Sequence, residues 1–201
     1  MYTTIIFDLG GVLIDWNPEY LYRKIFSDEE EMKSFLTNVC SPSWNEEQDG
    51  GRSLSSGTEI LTRQFPAHKE NIELFYNRWP EMLGGALEET VEIFKELKAT
   101  KRYKIYALTN WSAETFPIAK EQFAFLSWFD DIVVSGEERM RKPFPEFYQL
   151  LLERFSVKPE EAIFIDDNQR NIDAAKAIGI HSITFLNAQQ LRTDLNKLGF
   201  L

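Results

Sequence analysis

Three apolar runs of this chain each end on side chains that could do chemistry. TIIF is followed by Asp8, IYAL by Thr109-Asn110, and IFI by Asp166-Asp167. The runs are short, continuous and rich in β-branched or aromatic residues, as strands covered on both faces are. In an open parallel sheet, ligands bind outside the carboxyl ends of the strands, so these groups would share one rim. A lone Asp after a strand is usually a turn or helix-cap residue. Three polar groups at equivalent positions are much harder to dismiss. Asp8, Asp166 and Asp167 would repel one another if all were ionised and bare. A hard divalent cation resolves that conflict: Mg²⁺ takes carboxylate, carbonyl and water oxygens and commonly works beside phosphate. Arg141-Lys142-Pro143 follows a further run, 132–134. A Lys before a helix is most often solvated, but near this rim it could neutralise a phosphate or a carboxylate.

The elements that must position these groups alternate along the chain. Strands are expected at 4–7, 104–108, 132–134, 162–165 and 182–186. Helices are expected at 87–99, from Ser112 to about 120, after Pro145, and at 168–178, with Gly179 as a stop. Such alternation implies an α/β fold around a parallel sheet. Residues 18–80 break it. They read as helices carrying Tyr20, Leu21 and Ile25, then Met32, Phe35 and Leu36 after a capping box at Ser27-Asp28-Glu29-Glu30. A turn-rich stretch, 41–57, precedes helices at 58–65 and 72–79, the latter ended by Pro80. An insertion this long is usually functional.

Composition narrows the function classes. The 201 residues carry 32 acidic and 22 basic side chains, a formal charge of −10, so nucleic acid would be repelled. The amino terminus lacks a basic region, and Asp8 interrupts its apolar run, so no secretory signal is expected. No run of ~18 apolar residues predicts a membrane span. A single cysteine, Cys40, fits a reducing, cytoplasmic compartment.

Four segments in order, FDLGGVL, LTN, RKP and FIDDNQRN, resemble the signatures of the haloacid dehalogenase-like (HAD) superfamily. The helical insertion resembles its α-helical cap of the first type. The resemblance implies a Rossmann-like core of residues 1–16 and 82–201, with an α-helical bundle cap at 17–81. It implies a Mg²⁺-dependent phosphatase acting on a small phosphate ester, sugar phosphates among them, through an aspartyl-phosphate. Asp8 matches the nucleophile. Mg²⁺ would be held by Asp8, the Gly10 carbonyl and Asp167, with Asp166 either behind these direct ligands or bound through water. Thr109 and the Asn110 backbone would bind phosphoryl oxygens, and Lys142 would offset charge on nucleophile and phosphoryl group. The alternative is a 2-haloacid dehalogenase, in which Asp8 attacks carbon without metal. The pair Asp166-Asp167 argues against it, because a metal-free site gains nothing from crowded carboxylates. A binding or regulatory protein is a third reading, made less attractive by the full set Asp8, Thr109, Lys142 and Asp167.

One departure matters. Phosphatases of this superfamily usually carry a second Asp two residues after the nucleophile, as general acid and base; here it is Gly10. Gly10 could instead serve a tight turn with Gly11. In the insertion, 44–52 is the expected specificity loop. His68 and His181 read as surface or structural residues, and Phe26, Phe35, Phe65, Phe75 and Trp79 as cap core. Asp15 would more often cap the next helix than reach the site. A positioned acid is typically worth ~10²–10⁴-fold, and Gly10 has no proton to give. Measured as kcat/KM, aryl and anomeric phosphates should be cleaved well and primary alkyl phosphates poorly. A flat series would show that another group, such as Asp15, Glu46 or Asp49, delivers the proton.

Overall fold

Apolar runs without alternation must be covered on both faces, and the computed structural model, which describes residues 2–201, covers them so. The strands are β1 (Thr4–Phe7), β2 (Ile14–Trp16), β3 (Leu83–Ala86), β4 (Lys104–Thr109), β5 (Asp131–Val134), β6 (Ala162–Asp166) and β7 (His181–Thr184). Five of them form one parallel sheet in the order β5-β4-β1-β6-β7. Ile5 and Phe7 of β1 face one side with Phe94 and Leu97, while Ile6 faces the other with Phe147 and Ile172. The covering helices are α6 (Glu88–Ala99), α7 (Phe116–Gln122), α9 (Pro145–Arg154), α10 (Gln169–Ala177) and α11 (Ala188–Lys197), and α8 (Ser135–Glu138) is a single turn after β5.

β1 is central, with Phe7 in register with Ala107 of β4 and Ile165 of β6. Asp8 therefore leaves the sheet level with Leu108 and Asp166, one residue before the end of β4. The chain then makes a turn in which Gly11 donates to the Ile14 carbonyl and Leu13 and Ile14 donate to the Leu9 carbonyl. Gly11 has φ +74°, and a Cβ there would run into the Asp167 carboxylate. Gly10 has no such constraint: a Cβ would meet nothing within 4 Å. The turn needs one glycine, Gly11, rather than both.

The insertion springs from a two-stranded antiparallel ribbon, β2 with β3, which carries α1 (Glu19–Tyr22), α2 (Glu29–Asn38), α3 (Pro42–Asp49), α4 (Leu54–Gln64) and α5 (Lys69–Asn77). Its interior is aromatic: Tyr22 packs 5.0 Å from Phe35, and Trp44 lies edge-on to Phe75 at 5.1 Å. Several expectations need correction. The stretch 41–57 is mostly helical. Ser41 caps α3 by accepting from the Trp44 N–H, Pro42 fits its first turn, and Ser53 caps α4 likewise. The residue capping α2 is Asp28, not Ser27, and it accepts from Glu31. The helix after β4 starts at Phe116 rather than Ser112, and α5 ends at Asn77, before Pro80. β7 starts and ends earlier than expected, and the ribbon and α11 lie outside the expected elements.

The turn at Gly11 yields a stability test. Gly11→Ala must hold a left-handed backbone against a carboxylate, which should cost about 1–3 kcal/mol. Gly10→Ala should cost less than about 1 kcal/mol. Urea unfolding of both variants checks the contrast, and equal losses would contradict it.

Candidate active site

A lysine ammonium taken out of water must be paired and hydrogen-bonded. Lys142 is 1% exposed, and its Nζ lies 2.9 Å from Asp8 Oδ2 and 2.7 Å from Asp166 Oδ2. Burial alone would lower its pKa, but Asp166 and Asp8 outweigh burial and hold it above the usual range. The backbone of Lys142 is clamped as well. Asn110 Oδ1 accepts from the Lys142 N–H at 2.8 Å, and Asn110 Nδ2 donates to the Lys142 carbonyl at 2.9 Å.

Asp166, fully buried, also accepts from the Asn168 N–H at 2.8 Å and from Asn171 Nδ2 at 3.0 and 3.1 Å. Both its oxygens are thus engaged by protein donors. Asp8 Oδ1 accepts from the Leu9 N–H at 2.7 Å. Burial, reinforced by Asp166 and opposed by Lys142, pushes the Asp8 carboxyl up to about 8. Asp167 is exposed, and no side chain donates to its carboxylate among the described residues. Thr109 is 1% exposed, and its buried hydroxyl has no partner. A bound oxyanion would satisfy it.

Asp8, Gly10, Asn110 and Asp167 line one cavity of about 370 Å³. Its walls include Trp16 of β2, Tyr76 of α5, Trp79 and Trp111, and α3 contributes Asn45 and Asp49. Oxygens of Asp8, Asp166 and Asp167 lie within 4.8 Å of one another. The Gly10 carbonyl accepts no backbone hydrogen bond among the described residues. Each Asp166 oxygen meets two donors and each Asp8 oxygen only one, so Asp8, Asp167 and that carbonyl keep lone pairs for a ligand, a set that suits a hard cation.

The structure therefore brings together Asp8, Gly10, Thr109, Asn110, Lys142, Asp166 and Asp167. It leaves Asp15 outside the cavity: its Oδ2 accepts from the Tyr20 hydroxyl at 2.6 Å, and Asn17 is the residue that bonds the Glu19 N–H. His68 packs on Phe35 and His181 on Tyr2, away from the site. Of the aromatic residues expected in the insertion's core, Phe35 and Phe75 are buried and Phe26 and Phe65 pack beside them. Trp79 is both core and cavity wall, edge-on to Trp111 at 5.7 Å. The specificity segment, 44–52, is largely helix α3, and it does face the cavity through Asn45 and Asp49. Sequence reasoning missed Asn171, which lies inside FIDDNQRN, and Ser135, which ends the run VVS just as Thr109 ends its own.

A family model described as haloacid dehalogenase-like hydrolase matches residues 2–179. The chain is 28% identical over 193 residues to a sesquiterpene phosphatase, astK, of Aspergillus oryzae, covering 96% of this chain and 94% of that one. It is 28% identical over 192 residues to a phosphorylated carbohydrates phosphatase of Thermotoga maritima, covering 89% and 82%. Among solved structures, a HAD family enzyme of Bacteroides thetaiotaomicron in complex with magnesium and inorganic phosphate superposes with TM-score 0.66 at 22% identity, covering 93% and 96%. The L-2-haloacid dehalogenase of Xanthobacter autotrophicus does so with TM-score 0.66 at 19%, covering 100% and 85%. At those identities the two structures share the fold with this chain. The family model spans most of the sequence and all four motif segments, and the chain belongs to the haloacid dehalogenase-like hydrolases.

Proposed function

We propose that the protein is a Mg²⁺-dependent phosphatase of small phosphate esters that passes through an aspartyl-phosphate on Asp8. The observation that supports this best is the disposition of charge. Asp8 is paired with a buried lysine, while a second, unengaged carboxylate, Asp167, faces the same cavity. Asp8, Asp167 and the Gly10 carbonyl would hold the cation, which would keep Asp8 ionised and screen it from an anionic substrate. Asp166, expected behind the direct ligands or bound through water, would serve this reading by orienting Lys142. Thr109 and the Asn110 backbone would bind phosphoryl oxygens, and Lys142 would offset their charge as the phosphoryl group transfers.

In this reading residues 17–81 are a cap over a core of 1–16 and 82–201. The leaving group would rest among Trp16, Trp79 and Trp111. Indole faces accept the C–H faces of a sugar as well as apolar groups, so both the carbohydrate and the terpenoid phosphatases it resembles are compatible with that wall. A buried thiol, Cys40, is in keeping with a cytoplasmic setting. No helix among the described residues is long and apolar enough to cross a membrane. The dehalogenase alternative shares the fold and the nucleophile, but it gives no use to Asp167.

Two outcomes test the reading. Asp8→Asn should lower phosphate release by ~10³-fold or more while leaving the fold intact by circular dichroism. Near wild-type turnover would sink the covalent mechanism. Chelation should remove activity and added Mg²⁺ restore it. Halide release from 2-chloropropionate in the presence of chelator would overturn the phosphatase reading in favour of dehalogenation.

A further inference from the structure

An alkoxide leaves phosphorus readily only if a proton reaches it as the bond breaks. Gly10 cannot give one, and neither histidine lies at the cavity. The nearby carboxylates of the ribbon and the insertion differ sharply in their surroundings. Asp15 is turned to Tyr20 at 2.6 Å. Glu46 is paired with Arg141 at 3.0 Å and Arg170 at 3.3 Å, and Glu47 with Arg141 at 3.1 Å. Both carboxylates are thus committed to arginines.

Asp49, the last residue of α3, stands apart. It lines the same cavity as Asp8 and Asp167 and has no salt-bridge partner. Asn45 Nδ2 donates to its Oδ2 at 3.0 Å, fixing the carboxyl. Its backbone carbonyl accepts from Ser135 Oγ at 2.6 Å, which ties the end of α3 to the carboxyl end of β5. The residue is thus seated on the sheet that carries Asp8. Burial, reinforced by Glu46 and opposed by the Ser112 N–H and Arg141, pushes its carboxyl up to about 7. The acid form is thereby favoured relative to an ordinary carboxylate.

We propose that Asp49 is the acid and base of the reaction, supplied by the insertion in place of the side chain that Gly10 lacks. The proposal rests on the phosphatase reading. As Asp8 Oδ bonds to phosphorus, the P–O bond to the leaving group breaks and the Asp49 proton passes to that oxygen, releasing the alcohol. The resulting Asp49 carboxylate takes a proton from water as the water oxygen bonds to phosphorus. The P–O bond to Asp8 then breaks, phosphate leaves, and both aspartates return to their starting forms. With Asp49 in this role, the dependence on leaving group expected from Gly10 alone becomes shallow.

The test is kcat/KM over aryl phosphates of rising leaving-group pKa together with a primary alkyl phosphate, for wild type and Asp49→Asn. Wild type should give a shallow slope. Asp49→Asn should lose ~10²–10⁴-fold on the alkyl ester and less than ~10-fold on the most acidic aryl ester, steepening the slope. On that aryl ester a phosphoenzyme burst should appear, because the second step loses its base. Adding Gly10→Asp to Asp49→Asn should recover alkyl phosphate cleavage, since the space beside Gly10 is open. An equal loss on every ester, or no loss, would overturn the role. If Asp49→Asn does not fold, the wild-type series decides alone: a steep slope refutes it. Failure of the phosphatase reading looks different, since wild type would then release phosphate from no ester.

Discussion

The ammonium of Lys142, closed between Asp8 and Asp166, is the interaction on which the rest of the site depends. It joins the ends of β1 and β6 to the loop that follows α8. Removing Lys142 would leave buried carboxylates uncompensated, at a cost of about 3–5 kcal/mol, whereas losing the Asp8 charge leaves the ammonium paired with Asp166. The surrounding hydrogen bonds follow from that cost. Asn171 and Asn168 satisfy Asp166, Asn110 grips the Lys142 backbone, and Leu9 satisfies Asp8. The cation that burial obliges the fold to pair beside Asp8 is, in the proposed function, the one that would offset phosphoryl charge.

The same loop also docks the insertion. Arg141, the neighbour of Lys142, reaches Glu46 and Glu47 of α3, and Ser135 holds the carbonyl of Asp49. Leu54, at the start of α4, donates to Glu114. Contacts that assemble the charged centre and contacts that seat α3 over it thus lie on adjacent residues. The turn around Gly11 completes the arrangement, because it sends the chain from Asp8 straight into the ribbon that carries the insertion. That arrangement places Asp49 of α3 on the cavity that Asp8 lines, as its proposed role requires.

The charged centre was legible in the sequence because of how parallel sheets are built. Buried strands read as unbroken apolar runs, so the polar residue that ends each one stands out, as Asp8, Thr109 and Asp166 do. What surrounds the centre was less legible. Helix α3 buries only Trp44 and Gln48, so its mostly polar composition reads as a loop. The ribbon strand β3 is Leu83–Ala86, and its paired glycines read as a turn. The side-chain role of Asn110 depends on a partner 32 residues away, which no local pattern reveals. Gly10 and Gly11 look alike in sequence, and only backbone geometry tells the obligatory one from the open one.

The central claim is that Asp8 itself takes the phosphoryl group. Its most direct test is a rapid acid quench during turnover, followed by borohydride reduction and peptide mass spectrometry. Reduction of an acyl phosphate converts aspartate to homoserine. The account requires homoserine at position 8, formed only when substrate is present. Steady phosphate release with Asp8 unmodified at every quench time would contradict it.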